Sequence, residues 1–127
     1  MKAGGKRGMA RMVAAWHNSR AGLRDIWQSE EAFRVEVAVL AASVPAALWL
    51  GTGVAQTGLL IGSIVVLLVV EILNSAIEAV VDRIGPERHE LSRKAKDLGS
   101  AAVLIATLFP VVVWGCVILS RLGWITL

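Results

Sequence analysis

The sequence has one cysteine, Cys116, so neither an intrachain disulfide nor a thiolate metal site is available. That residue lies in an apolar run and reads as a small buried or lipid-facing side chain. Charge is scarce as well. Lys, Arg, Asp and Glu make up 18% of the 127 residues, and the stretches 37–50, 57–70 and 98–120 hold none. Hydrophobic residues reach 56% and mean hydropathy is +0.66, too apolar for an ordinary soluble domain. There is no P-loop, no glycine-rich kinase loop and no kinase catalytic-loop motif. Internal repeats and low-complexity tracts are missing. No cleavable signal peptide is expected, because the basic start leads into an amphipathic segment and not into a short apolar core. What is left is an all-α integral membrane protein, residues 1–127 forming a single membrane domain with no room for a separate soluble one.

In chain order, residues 1–8 are basic and glycine-rich and are expected to fray. Over about 7–28, Met9, Met12, Val13, Trp16, Leu23 and Trp27 recur at spacings of three, four and seven, while Arg7, Arg11, Asn18, Arg24 and Asp25 fall largely off that stripe. This predicts an amphipathic surface helix, loosened at Gly22, with tryptophans at headgroup depth. Ser29-Glu30-Glu31 reads as a helix start, Ser29 being a good cap. The uncharged run Val37–Leu50 is too short for the ~20 residues a span needs. The first transmembrane helix is therefore expected over 32–50, with Arg34 snorkelling, Glu36 finding a partner and Pro45 kinking the helix. The second is expected over 56–83, stopped by Gly85-Pro86. A hydrophilic link, Glu87–Asp97, leads to the third, over 98–122.

The second span carries the chemistry. With about 100° per residue and Glu71 at zero, Asn74 falls at about −60°, Ser75 at about +40°, Glu78 at about −20° and Asp82 at about +20°. Three carboxylates, an amide and a hydroxyl thus share one stripe of an otherwise apolar helix. A charged residue at membrane depth costs about 2.5–3.5 kcal/mol on insertion scales, so such groups usually face protein or water and act there. Solvation at a helix end is an adequate account of Asp82, beside Arg83. It is a poor one for Glu71, which follows the seven apolar residues Ile64–Val70.

Basic residues crowd positions 1–24 and 83–96, whereas the connection 51–58 has none. The positive-inside rule then places the N-terminus and the 83–96 link in the cytoplasm. Glu30, the Glu78 end of the second span and Lys94–Asp97 are expected to meet at that face, where ATP and Mg²⁺ are. Carboxylates with phosphate oxygens are the usual Mg²⁺ ligands, and lysine binds phosphate as a point charge. Desolvation makes a carboxylate at membrane depth a stronger base. Phosphoryl transfer needs metal, positive charge and alignment more than covalent help. The set suits transfer of phosphate from ATP to a lipid hydroxyl.

Three segments, Glu31–Arg34 (EAFR), Glu71–Ile84 (EILNSAIEAVVDRI) and Ala95–Val103 (AKDLGSAAV), closely resemble the prokaryotic diacylglycerol kinase family. The likeness runs from about Arg11 to about Trp114, and its 71–84 motif is long and specific. It implies a three-span homotrimer with an amphipathic surface helix, unrelated to soluble kinases, that makes phosphatidic acid from 1,2-diacylglycerol with Mg-ATP in the bacterial inner membrane. By that resemblance Glu71 is the general base and Asn74 helps place the reacting groups. Glu30 and Glu78 hold Mg²⁺ on the ATP phosphates. Lys96 and Asp97 contact ATP, Glu87 and His89 reach its base, and Arg11 and Asn18 complete the nucleotide side. The lipid side is lined by Arg11, Ser19, Arg24, Ala32, Phe33, Arg34, Glu36, Glu71 and Ser100. Asn18 stands where the best-known relatives have an aromatic residue, and the 51–58 connection is less charged than theirs.

Oligomerisation also follows from the residues alone. A lone three-span chain leaves its polar stripe beside lipid unless other helices cover it. Small residues (Gly62, Ser63, Ser75, Ala76, Ala79, Ser100, Ala101, Ala102) permit close helix approach. Active sites shared between subunits are expected, Glu71 and Glu78 of one chain meeting Glu30 of another. No nucleic-acid partner is expected. Three other readings compete: an undecaprenol kinase of the same fold, an ion-carrier subunit using Glu71, and a non-enzymatic adaptor held to anionic lipid by its basic helix.

Overall fold

A computed structural model describes residues 8–126; of the start expected to fray, residues 1–8, all but Gly8 lie outside the described residues, Arg7 among them. Every regular element among the described residues is helical: α1 Met9–Ser29, α2 Glu31–Leu50, α3 Val54–Ile84 and α4 Glu90–Arg121. The chain forms two compact units that part between Glu31 and Ala32.

In the first unit, α1 runs unbroken through Gly22, contrary to the expected loosening. One glycine costs roughly 1 kcal/mol of helix propensity, too little to interrupt a helix of this length. Its apolar stripe, Met9, Met12, Val13, Trp16, Leu23 and Trp27, is exposed, and Ile26 is its one buried residue. Ser29 does not cap the next helix. It closes α1, and the break falls on Glu30 alone, whose extended backbone still donates its N–H to the Ile26 carbonyl at 2.9 Å.

The second unit contains the three helices long and apolar enough to cross a membrane, α2, α3 and α4. They are consecutive and antiparallel in turn, so α2 and α4 run the same way along α3. Leu60 is fully buried against Ala47 of α2 and Val113 and Val117 of α4, with Leu50, Ile61 and Trp114 around them. Lipid is as apolar as leucine, so close packing and polar contacts must hold such helices together. The Trp114 indole donates to the Leu60 carbonyl at 3.1 Å. Arg121 donates to the Leu50 and Trp49 carbonyls at 2.9 and 3.3 Å, satisfying the C-terminal end of α2. Hydroxyls at membrane depth turn back on their own helix: Ser43 to Leu40, Ser63 to Leu60 and Thr107 to Val103, each at 2.8 Å. Large apolar residues such as Leu104, Ile105, Val111 and Val112 face outward, as lipid contact demands.

α2 continues through Pro45 and α4 through Pro110 without a break. α3 has 31 residues, about 46 Å, and so exceeds the ~30 Å hydrocarbon thickness. It ends at Gly85, whose φ of 148° is open to glycine and strained for any other residue. The link proves shorter than expected, since α4 starts at Glu90, eight residues before the apolar run. Two local devices explain this. His89 caps the helix, its Nδ1 accepting from the Leu91 N–H at 3.1 Å. Arg93 then pairs with Glu90 one turn back and Asp97 one turn on. Such pairs stabilise a polar helical turn that hydropathy alone assigns to a link.

Candidate active site

α3 supplies the centre of the site. Glu71 is buried, 7% exposed, in a helix whose preceding turns are wholly apolar. Asn74 and Glu78, both half-buried, follow on the same face, and the Asn74 amide Nδ2 donates to Glu78 Oε1 at 3.4 Å. Glu71, Asn74 and Glu78 thus share one polar edge of α3, with Asn74 and Glu78 in contact.

α2 and α4 flank that edge. Glu36 of α2 stands within electrostatic range of Glu71, and its Oε2 is buried without a hydrogen-bond partner. The partner expected for Glu36 is not found at Oε2 among the described residues. From α4, Lys96 Nζ pairs with Asp82 Oδ1 at 2.6 Å, and Glu78 also acts on its charge. Asp82 chiefly holds the Lys96 ammonium above its usual range, in the polar turns of α4 that precede the apolar run. Asp82 is accordingly more than a solvated helix end. Asp97 bonds Arg93. Ser100 is exposed, and Gly99 beside it is buried against Asn74.

Between the end of α3 and the start of α4 lies a cavity of about 560 Å³. Asp82, Glu87, Arg88, His89, Ser92 and Lys96 are among the residues that line it. Three of the residues assigned to the nucleotide, Glu87, His89 and Lys96, are thereby brought together; Asp97 is not in this lining. Phe33 is buried and Arg34 half-buried near the start of α2, while Ala32 is exposed. Arg11, Asn18, Ser19, Arg24 and Glu30 belong to the first unit, all exposed except Glu30, which is half-buried.

The donor set bears on Mg²⁺. Among the described residues no group of three or more His, Cys, Asp or Glu converges as a metal cage. Mg²⁺ seldom uses such cages; it takes one or two carboxylates and fills its octahedron with phosphate oxygens and water. Glu78 fits that role. Its bond to Asn74 is long and engages one carboxylate oxygen, Oε1, which leaves lone pairs for a metal ion.

Three features were missed in the sequence: the Asp82–Lys96 pair, the Arg93 bridge and the approach of Gly99 to Asn74. The i, i+3 and i+4 spacing of Glu90, Arg93 and Asp97 signals the second. The other two join different helices, and no local pattern encodes them.

A family model for prokaryotic diacylglycerol kinase matches residues 17–118. The chain belongs to the prokaryotic diacylglycerol kinase family. Diacylglycerol kinase of Escherichia coli K12 is 49% identical over 116 residues, covering 91% of this chain and 95% of the relative. Diacylglycerol kinase of Haemophilus influenzae is 42% identical over 108 residues, 85% of this chain and 92% of the relative. Diacylglycerol kinase of Pseudomonas aeruginosa is 40% identical over 116 residues, 91% and 94% of the two chains. Membership makes this chain a membrane kinase, and the ion-carrier and adaptor readings fall away.

Proposed function

We propose that the chain transfers the γ-phosphoryl group of ATP to the hydroxyl of 1,2-diacylglycerol, giving phosphatidic acid at the cytoplasmic face of a bacterial inner membrane. The observation that carries this reading is the buried Glu71 carboxylate, in line with Asn74 and Glu78 on one face of an apolar span. Glu71 lies about 26 Å along α3 from Val54, within one hydrocarbon thickness, and Glu78 lies about 10 Å further on. A base at the acyl boundary and metal ligands in the headgroup region suit a lipid hydroxyl below and a nucleotide above.

Glu71 takes the proton from the acceptor hydroxyl as its oxygen attacks the γ-phosphorus. The bond from that phosphorus to the bridging oxygen breaks, and ADP leaves. Asn74 and Glu78 hold the phosphate side of the edge, and Lys96 gives positive charge to the phosphates. In accepting them it exchanges its exposed pairing with Asp82. The link cavity receives the nucleotide at Glu87 and His89. Glu78 and Glu30 would hold Mg²⁺ together with the ATP phosphates, and the ion would supply positive charge toward the transferring group. Arg11 and Asn18 serve the nucleotide; Ser19, Arg24, Ala32, Phe33, Arg34, Glu36 and Ser100 line the lipid approach.

The exposed Trp16 and Trp27 of α1 suit a helix lying in the membrane interface, its arginines toward anionic headgroups. The basic N-terminal segment and link place both in the cytoplasm. A homotrimer covers the polar edge, and Glu30 comes to the Glu71–Glu78 edge of a neighbouring chain.

The test is phosphate transfer from labelled ATP in mixed micelles, with diacylglycerol and undecaprenol in parallel. Label is expected in phosphatidic acid, and chelation of Mg²⁺ should abolish it. The three relatives named above are diacylglycerol kinases, which disfavours the polyprenol. Label mainly in the polyprenol would replace the acceptor, and label in neither would refute the reading.

A further inference from the structure

Asn74 has a directional problem. Its side chain carries a donor end and an acceptor end, and the two are placed on opposite sides. The Glu78 carboxylate only accepts, so the amino end must face it, as the 3.4 Å contact records. The carbonyl end is then forced toward α4. There Oδ1 is buried and has no hydrogen-bond partner. What it meets is the backbone of Gly99, a buried residue well inside α4.

The approach depends on glycine. A β-carbon built on Gly99 would collide with Asn74 Oδ1 and lie 3.3 Å from its Cγ. The hydrogen that stands in place of that β-carbon points at the oxygen instead, the arrangement of a weak Cα–H···O contact between packed helices. Gly99 has no positive φ to explain it, unlike Gly85. A glycine within a helix costs roughly 1 kcal/mol against alanine, and at 99, unlike at Gly58, Gly62 or Gly115, the space it leaves is filled by a neighbour, Asn74.

We propose that Gly99 is a positioning residue for the kinase reaction: by lacking a side chain it fixes the Asn74 carboxamide with its amino group on Glu78. The proposal rests on the reading of Asn74 as a group that places the reactants. An alanine at 99 would push the carboxamide off the α4 backbone, turning or withdrawing the donor that steadies Glu78. The damage would reach the phosphate side of the site without touching Glu71.

A double-mutant cycle tests this, with kcat, KM for ATP and thermal unfolding measured on full-length trimers of Gly99→Ala, Asn74→Ala and the double variant. Gly99→Ala should lower kcat on the order of tenfold to a hundredfold, as small misplacements near reacting groups do. In the Asn74→Ala background the same change should cost nothing further, because the colliding oxygen is gone. Unfolding should show the same pattern: Gly99→Ala lowers Tm, and adding Asn74→Ala restores it. That readout survives even if Gly99→Ala alone folds poorly. Losses of kcat that multiply in the double variant would overturn the proposal, as would an unchanged kcat in Gly99→Ala. Near-normal turnover in Asn74→Ala would instead sink the role of Asn74. The Asn74 side-chain amide resonance would then still report on Gly99: a shift in Gly99→Ala supports the packing claim, and no shift overturns it.

Discussion

At the scale of single residues, the polar edge separates two jobs along one helix face. Glu71 is buried and Glu78, one turn past Asn74, is half-open; in the proposed reaction the first meets the lipid hydroxyl as base and the second meets the phosphates. Glu71→Gln should lower turnover by ~10²–10⁴-fold while nucleotide binding persists, because general-base catalysis contributes about that much. Near-normal turnover would remove Glu71 as the base. Glu78→Gln should raise the Mg²⁺ concentration needed for half-maximal rate, read from a metal titration at fixed ATP. An unchanged titration would take the metal away from Glu78. These residues were legible in the sequence because 3.6-residue periodicity is a property of one helix. The pairing of Asp82 with Lys96 and the approach of Gly99 to Asn74 were not, since each joins two helices at a register no local pattern records.

At the scale of elements, the α3–α4 turn is built from residues with separate duties. Gly85 supplies a backbone angle, and nothing crowds the space where its side chain would be. Gly85→Ala should therefore cost about 1–3 kcal/mol through the backbone alone, measured as a lower midpoint of unfolding. A change under the error of that measurement would show that the turn relaxes. The first turns of α4 rest on Arg93 between Glu90 and Asp97. Arg93 holds the Glu90 carboxyl below its usual range. A lowered carboxyl value means stabilisation present at neutral pH and lost as pH falls through it. The protection of the amides of residues 91–94, taken relative to their intrinsic exchange at each pH, should thus fall below about pH 4, where ordinary carboxylates protonate, and Arg93→Ala should show that loss of protection at neutral pH. Equal exchange in the two proteins would deny the bridge its role. The apolar half of α4 was readable from hydropathy. Its polar start was not, because a side-chain cap and two ion pairs convert what hydropathy scores as a link into helix.

At the scale of the whole molecule, the second unit wraps its polar edge with only two flanking helices and leaves large apolar faces outward. If Glu30 of one subunit serves Glu71 and Glu78 of the next, trimers mixed from Glu71→Gln and Glu30→Gln subunits should recover activity that neither homotrimer has. Mixed trimers without activity would confine each site to one chain. The far end of the second unit bears on how such a site moves. Arg121 fastens the end of α4 to the last carbonyls of α2. Taken as a fixed point, that clasp has Lys96 about 37 Å away along α4. A tilt of only ~5° about it would carry Lys96 by about 3 Å over that length, while Trp114, near the fulcrum, barely shifts. The lever arm makes any such tilt largest at the Lys96 end, so the Asp82–Lys96 pair and the Gly99–Asn74 approach are the contacts that must hold α4 in place there.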